Sequence, residues 1–141
     1  MATTTPNYGW PVTTSTDYVK DGAAAIKALG DAIDASVFTQ LNVVAEKTAA
    51  YTFASGDQND LIQLNGTFTV SIPVDATFNF AIGTQINILN VGTGTITVAA
   101  VTPGTTTVNG TPGLKLRDQW SSATLIKRAA NTWVVIGDLK A

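Results

Sequence analysis

Neither cysteine nor histidine occurs among the 141 residues, and the two absences exclude a good deal of chemistry. Without thiolates and imidazoles there is no zinc finger, no disulfide framework, no Cys/His nucleophile and base pair, and no histidine metal site. The lack of cysteine leaves the compartment open, beyond not requiring an oxidising one. Charge is scarce as well: Asp, Glu, Lys and Arg make up 13 % of the chain, against ~25 % in ordinary globular domains. Ten acidic residues outweigh eight basic ones, for a net charge of −2, so nucleic acid, which needs clustered Lys and Arg, is not an expected partner. No apolar run approaches the ~18 residues that would mark a membrane span. No basic stretch followed by an apolar core opens the chain, so no secretory signal is expected. Threonine fills the gap left by charge, with 23 copies. A soluble, low-charge, threonine-rich protein is expected, with room for one domain and an appended segment.

Composition divides the chain near residue 40. Residues 1–16, MATTTPNYGWPVTTST, fit neither a helical nor a strand period, and Pro6 and Pro11 favour extended backbone around themselves. A free tail is the plain reading. Tyr8 and Trp10, however, carry on the order of 150–250 Å² of surface each that gains from burial. Tyr8, Trp10 and Pro11 are therefore the candidate anchors of an extended attachment arm that docks on another subunit.

Residues 17–38 read as the single helix. Thr14 or Thr16 with Asp17 offers N-cap oxygens to the unpaired first-turn N–H groups, and Val19, Ala23, Ile26, Leu29, Ile33 and Val37 recur at steps of three and four. Val19, Ile26 and Ile33 take heptad position a and Leu29 takes d, which makes these four the candidate trimer seam. Gly22 and Ser36 interrupt the other d positions. The stripe either packs on the chain's own β-region or joins other copies in a short trimeric coiled coil; the second is expected.

Over residues 43–141 the period changes to short alternating runs separated by turn signals. Strands are expected at 49–53, 61–64, 67–72, 85–91, 95–101, 105–108, 114–117, 123–128 and 132–138. Asn65-Gly66 is expected to close a tight hairpin, and Gly92-Thr93-Gly94 a second one. No internal repeat of fixed period stands out. The fold expected is mainly β: an arm and one short helix, then an antiparallel β-sandwich or jelly-roll-like domain.

Catalysis has few residues to work with, and none is assigned a catalytic role. Glu46, Asp57, Asp60, Asp75, Asp118 and Asp138 sit mostly in predicted turns, where Asp closes Asx-turns. Gly56-Asp57-Gln58-Asn59-Asp60 offers three oxygen ligands but lacks EF-hand spacing and a closing glutamate, so neither metal nor cofactor is expected. Lys115, Arg117, Lys127 and Arg128 are expected on the solvent face, their stems packed on Trp120 or Trp133. Trp133 lies in an apolar strand and reads as core. Trp120 lies in a loop and is a candidate glycan contact, since an exposed aromatic ring stacks on a pyranose face.

NYGWPVTTSTDYVKDGAAAIKALGDAIDA (7–35) resembles the N-terminal segment of structural proteins of tailed bacteriophages, in which a Pro-rich arm leads into a short helix. GTPGLKLRDQWSSATLIKRAANTWVVIGDL (110–139) is similar to the closing β-unit of phage minor tail, fibre and head-decoration proteins, and IPVDATFNFAIGTQINILNVGTGTITVAA (72–100) fits the same group. The resemblance implies a homotrimer made in the host cytoplasm and built into the virion. Its arm would attach to the major capsid protein or another virion protein, and its β-tip would project. The short connection between helix and tip favours a capsid decoration or short head-fibre protein over a minor tail or short tail-fibre protein that contacts a host-surface glycan. A carbohydrate-binding module acting through Trp120 is the rival from another class.

Overall fold

The computed structural model describes residues 3–4, 10–12, 21–37 and 41–141. The chain divides into two compact units, residues 1–40 and 41–141. Tyr8, Val19 and the expected helix start and cap at 14–20 lie outside the described residues.

In the first unit, β1 (Thr3–Thr4) and β2 (Pro11–Val12) form a two-residue antiparallel ladder. Alanine, the best helix former, dominates α1 (Gly22–Val37), and the i,i+4 pair Lys27–Asp31, at 2.6 Å, adds a small increment on an exposed face. The half-buried positions of α1 are Gly22, Ala25, Leu29 and Ala32, one stripe at helical spacing, and β2 lies alongside the helix. Among the described residues, no helix is long and apolar enough to cross a membrane.

The second unit is mainly β. Its strands are β3 (Val43–Lys47), β4 (Tyr51–Thr52), β5 (Leu61–Leu64), β6 (Phe68–Ile72), β7 (Gln85–Asn90), β8 (Ile96–Ala100), β9 (Thr107–Gly110), β10 (Lys115–Leu116), β11 (Ser122–Ala129), β12 (Thr132–Gly137) and β13 (Leu139–Lys140). They form a six-stranded sheet, β3-β5-β7-β11-β12-β9, and a five-stranded sheet, β13-β10-β8-β6-β4. Period-two alternation points one face of each sheet inward. Ile62, Leu64, Ile86, Ile88, Leu125 and Trp133 from the first meet Val70, Ile72, Ile96, Val98, Leu116 and Leu139 from the second in one core.

The path between the sheets departs from expectation. From β3 to β11 every successive strand changes sheet. The first six strands wind as three two-strand coils, with β3, β5 and β7 parallel in one sheet and β4, β6 and β8 parallel in the other. Only then does the chain reverse: β10 runs antiparallel to β8 and β11 antiparallel to β7. The unit is a two-sheet sandwich of mixed pairing, a short solenoid closed by a mostly antiparallel cap in which β9 runs parallel to β12, and neither wholly antiparallel nor a jelly roll. Asn65-Gly66 and Gly92–Gly94 are accordingly not hairpins. Each is a corner carrying the chain across the core, because within the coils each apolar run pairs with its counterpart in the next coil instead of with its sequence neighbour.

That pairing exposes a degenerate repeat. Thr67-Phe-Thr-Val-Ser-Ile72 stacks on Thr95-Ile-Thr-Val-Ala-Ala100, with Phe68 opposite Ile96 and Val70 opposite Val98. The spacing is 28 residues there but 26 in the preceding strands, where Ile62 faces Ile88; this drift hides a fixed period. β3 and β13, absent from the expected strands, are edge elements of five and two residues.

Candidate functional site

The coil corners stack into a column. Asn65 N donates to Lys47 O and Val91 N to Leu64 O, both at 2.9 Å, so each corner hangs on the one before. The stacking is tight enough to dictate glycine: a Cβ at Gly94 would run into the Gly66 carbonyl, and one at Gly92 into the Asn65 side chain. Asn65 Nδ2 also bonds Glu46 Oε2 at 2.9 Å.

A turn of the cap, Asp118-Gln119-Trp120-Ser121, is clamped on the end of this column. Within it, Ser121 N donates to Asp118 O at 3.2 Å and Asp118 N to Ser121 Oγ at 3.0 Å. Toward the column, Trp120 N donates to Asn90 O at 2.7 Å and Asn90 N to Ser121 O at 2.9 Å. Gln119 Nε2 donates to Val91 O at 2.9 Å. The buried Asn90 side chain ties both sides, Nδ2 bonding Gly94 O at 2.9 Å and Asp118 O at 3.2 Å. Behind the turn, Asp138 accepts from Ser121 Oγ at 2.8 Å and Arg117 Nε at 2.5 Å. These two donors, Arg117 first, hold the Asp138 carboxyl below the usual carboxylate range against the opposing pull of desolvation.

Trp120 sits at the third position of this turn with φ +67°, the left-handed conformation that a type II turn normally gives to glycine or asparagine. Its residue surface is 67 % exposed. A bulky side chain in that region costs about 1–2 kcal/mol, and little burial offsets it. The candidate glycan contact is thus a solvent-exposed indole on an over-determined loop. Trp133, by contrast, is buried with its ring edge-on to Phe80 at 5.5 Å, the core position its strand implied.

The other candidates fall elsewhere. In the first unit Trp10 and Pro11 are half-buried. Of the expected seam, Leu29 belongs to the covered stripe, whereas Ile26 is 70 % and Ile33 36 % exposed. The carboxylates are mostly bound into the structure. Asp57 accepts from Tyr51 Oη at 2.9 Å and Ala54 N at 2.7 Å, and Asp60 from Asn42 Nδ2 at 2.9 Å. Burial, reinforced by the bond to Asp57 and its negative charge, pushes the Tyr51 hydroxyl up to about 12. Among the described residues no group of three or more acidic side chains is placed to hold a metal ion.

Lys127 corrects the expectation of a solvated basic face. It points inward from β11, is 1 % exposed at the side chain, and donates to Asp75 Oδ1 at 2.6 Å, Asn79 Oδ1 at 2.6 Å and Phe80 O at 2.8 Å. All three protons are used, and the loop 73–84 is pinned to the sheet. Burial works to raise Asp75, but the Lys127 bond, the Asn131 N–H and the Lys127 charge together hold it below its ordinary value.

The outward side of the six-stranded sheet has little charge. Val43, Leu61, Leu89, Ile126, Val134 and Ile136 lie there, with Gln63, Asn87 and Thr124 between them. No family model matches the chain, and neither a curated protein nor a solved structure is similar to it.

Proposed function

We propose that the protein is a non-enzymatic structural component of a tailed-bacteriophage virion, a trimeric capsid decoration or short head-fibre subunit. Residues 1–16, with Tyr8, Trp10 and Pro11, attach it to the major capsid protein or another virion protein, and the β-unit projects. The reading starts from the likeness of segments 7–35 and 110–139 to such proteins. The observation that carries it further is the pair Ile26 and Ile33, seven residues apart and both exposed on α1. An apolar pair at heptad spacing, bordering the half-buried Leu29, suits a seam shared between copies. A short, glycine-interrupted helix is marginal alone and gains stability by association. The charge-poor outer sheet face agrees with close subunit packing, since few ions would be desolvated.

Light scattering on the full chain tests the assembly: the expected mass is three times 14.7 kDa. Ile26→Asp with Ile33→Asp should reduce it to the monomer while the β-unit stays folded. A monomeric parent at micromolar concentration would remove the seam. Immunogold labelling of particles locates the protein: label over the head supports decoration, and label at the tail tip replaces it with the minor tail or short tail-fibre role.

A further inference from the structure

Trp120 combines three properties that rarely coincide. It is largely exposed, it occupies a backbone conformation that disfavours its side chain, and the turn holding it is bonded on every side, through Asn90, Val91, Ser121 and Asp138. Strained residues that persist in an over-determined setting concentrate where a ligand is clamped, and a rigid ring loses little entropy on binding. Glycine would satisfy the turn at lower cost, so stability alone does not account for an indole here.

The surroundings indicate what the ring would meet. Asp118, on the same turn, has a 78 % exposed side chain and a loose ion pair, 3.9 Å, with Lys140 Nζ. Arg117 and Asp138 neutralise each other beside it. Local charge therefore sums to zero, which disfavours an ionic ligand. Below the turn, the column presents exposed Thr93 and Asn65 on successive corners. Corners of stacked coils repeat at the strand spacing of ~4.8 Å, a step comparable with one pyranose ring.

From this we propose that Trp120 is a stacking platform for one sugar ring of an uncharged polysaccharide, with Asp118 and the Thr93 and Asn65 corners bonding hydroxyls of that ring and its neighbours. The site is an open surface rather than a pocket, so single-site binding is weak and strengthens when several copies engage one chain. The inference does not depend on the virion reading: the binding is a property of the β-unit, and its failure would leave the assembly test above untouched.

The experiment is native gel retardation of the full-length protein in dextran, a soluble β-1,3-glucan and a galactomannan, with dextran sulfate as the charged comparison. Acrylamide quenching of tryptophan emission runs alongside. Trp133 is buried and Trp10 half-buried, so quenching reports mainly on Trp120. The expected result is retardation by at least one neutral polymer and none by dextran sulfate, with quenching falling at least twofold. Trp120→Asn, which suits the left-handed turn, should keep its thermal midpoint within a few degrees of the parent and weaken retardation at least tenfold. Trp120→Phe, retaining a smaller ring, should lose less. The proposal is overturned if no neutral polymer retards the protein, or if Trp120→Asn is retarded as strongly as the parent. It is equally overturned if the indole becomes shielded only as protein concentration rises without polysaccharide, which would make Trp120 a protein contact.

Discussion

Two adjoining turns handle backbone crowding in opposite ways. The corner at 91–94 places glycine wherever the stacked coil below comes too close, and the chain passes without strain. The turn at 118–121, bonded directly onto that corner through Asn90, puts tryptophan where glycine belongs. The glycines of the first are arranged for packing. The second holds an unfavourable residue by means of a hydrogen-bond network, and the residue so held projects into solvent. Tight bonding therefore serves different ends on the two sides of Asn90: closure of a core in one, presentation of a ring in the other.

The largest break in this comparison comes from Gly94→Ala. The added Cβ meets the Gly66 carbonyl and the Thr67 amide, both backbone, so nothing flexible can yield. Overpacking of this kind costs about 3 kcal/mol, and the urea midpoint should fall accordingly with an unchanged slope. A cost below about 1 kcal/mol would mean that the corners are free to slide apart.

Acid separates the turns more gently. Asp138 is held below its ordinary pKa by Arg117 and Ser121, so the bonds it makes are fully present above the unfolded carboxyl value, near 3.9. They are lost as the pH falls through the lower folded value. The corner at 91–94 contains no titratable side chain. Amide exchange near pH 3, compared with pH 6 after correction for intrinsic rates, should therefore show Trp120 and Ser121 losing protection before Val91, whose N–H is held by Leu64 O. Simultaneous loss would show that Asp138 does not hold the turn.

These contrasts also explain what could be read in the sequence. The strand runs were legible because period-two alternation is local: Leu61–Leu64 and Gln85–Asn90 needed only their own residues. Their partners were not, because Asn65-Gly66 is chemically a hairpin turn, and only the stacking of one corner on the next makes it a crossing. The burial of Lys127 was invisible for the same reason. Its acceptors, Asp75, Asn79 and Phe80, lie some fifty residues away, and no local pattern announces them. Trp120 was legible as an aromatic in a loop. Its exposure and its φ depend on Asn90 and Asp138, which the turn's own four residues do not contain.

The smallest effect sharpens the comparison most. At a position with ordinary dihedrals, alanine is more stable than glycine, because glycine loses more backbone entropy on folding. At a left-handed position the order inverts, since the Cβ of alanine meets the following carbonyl at about 1–2 kcal/mol. Trp120→Gly and Trp120→Ala remove the same indole contacts, so whatever the ring buries cancels between them. If the hydrogen bonds through Asn90 and Ser121 enforce the observed φ, the glycine variant should be the more stable by about 1 kcal/mol, read as a difference in urea midpoints at equal slope. If alanine proves equal or better, the turn has relaxed to a right-handed conformer in both variants. Strain would then never have been imposed by the network, and the ring would be merely tolerated where it stands instead of held there.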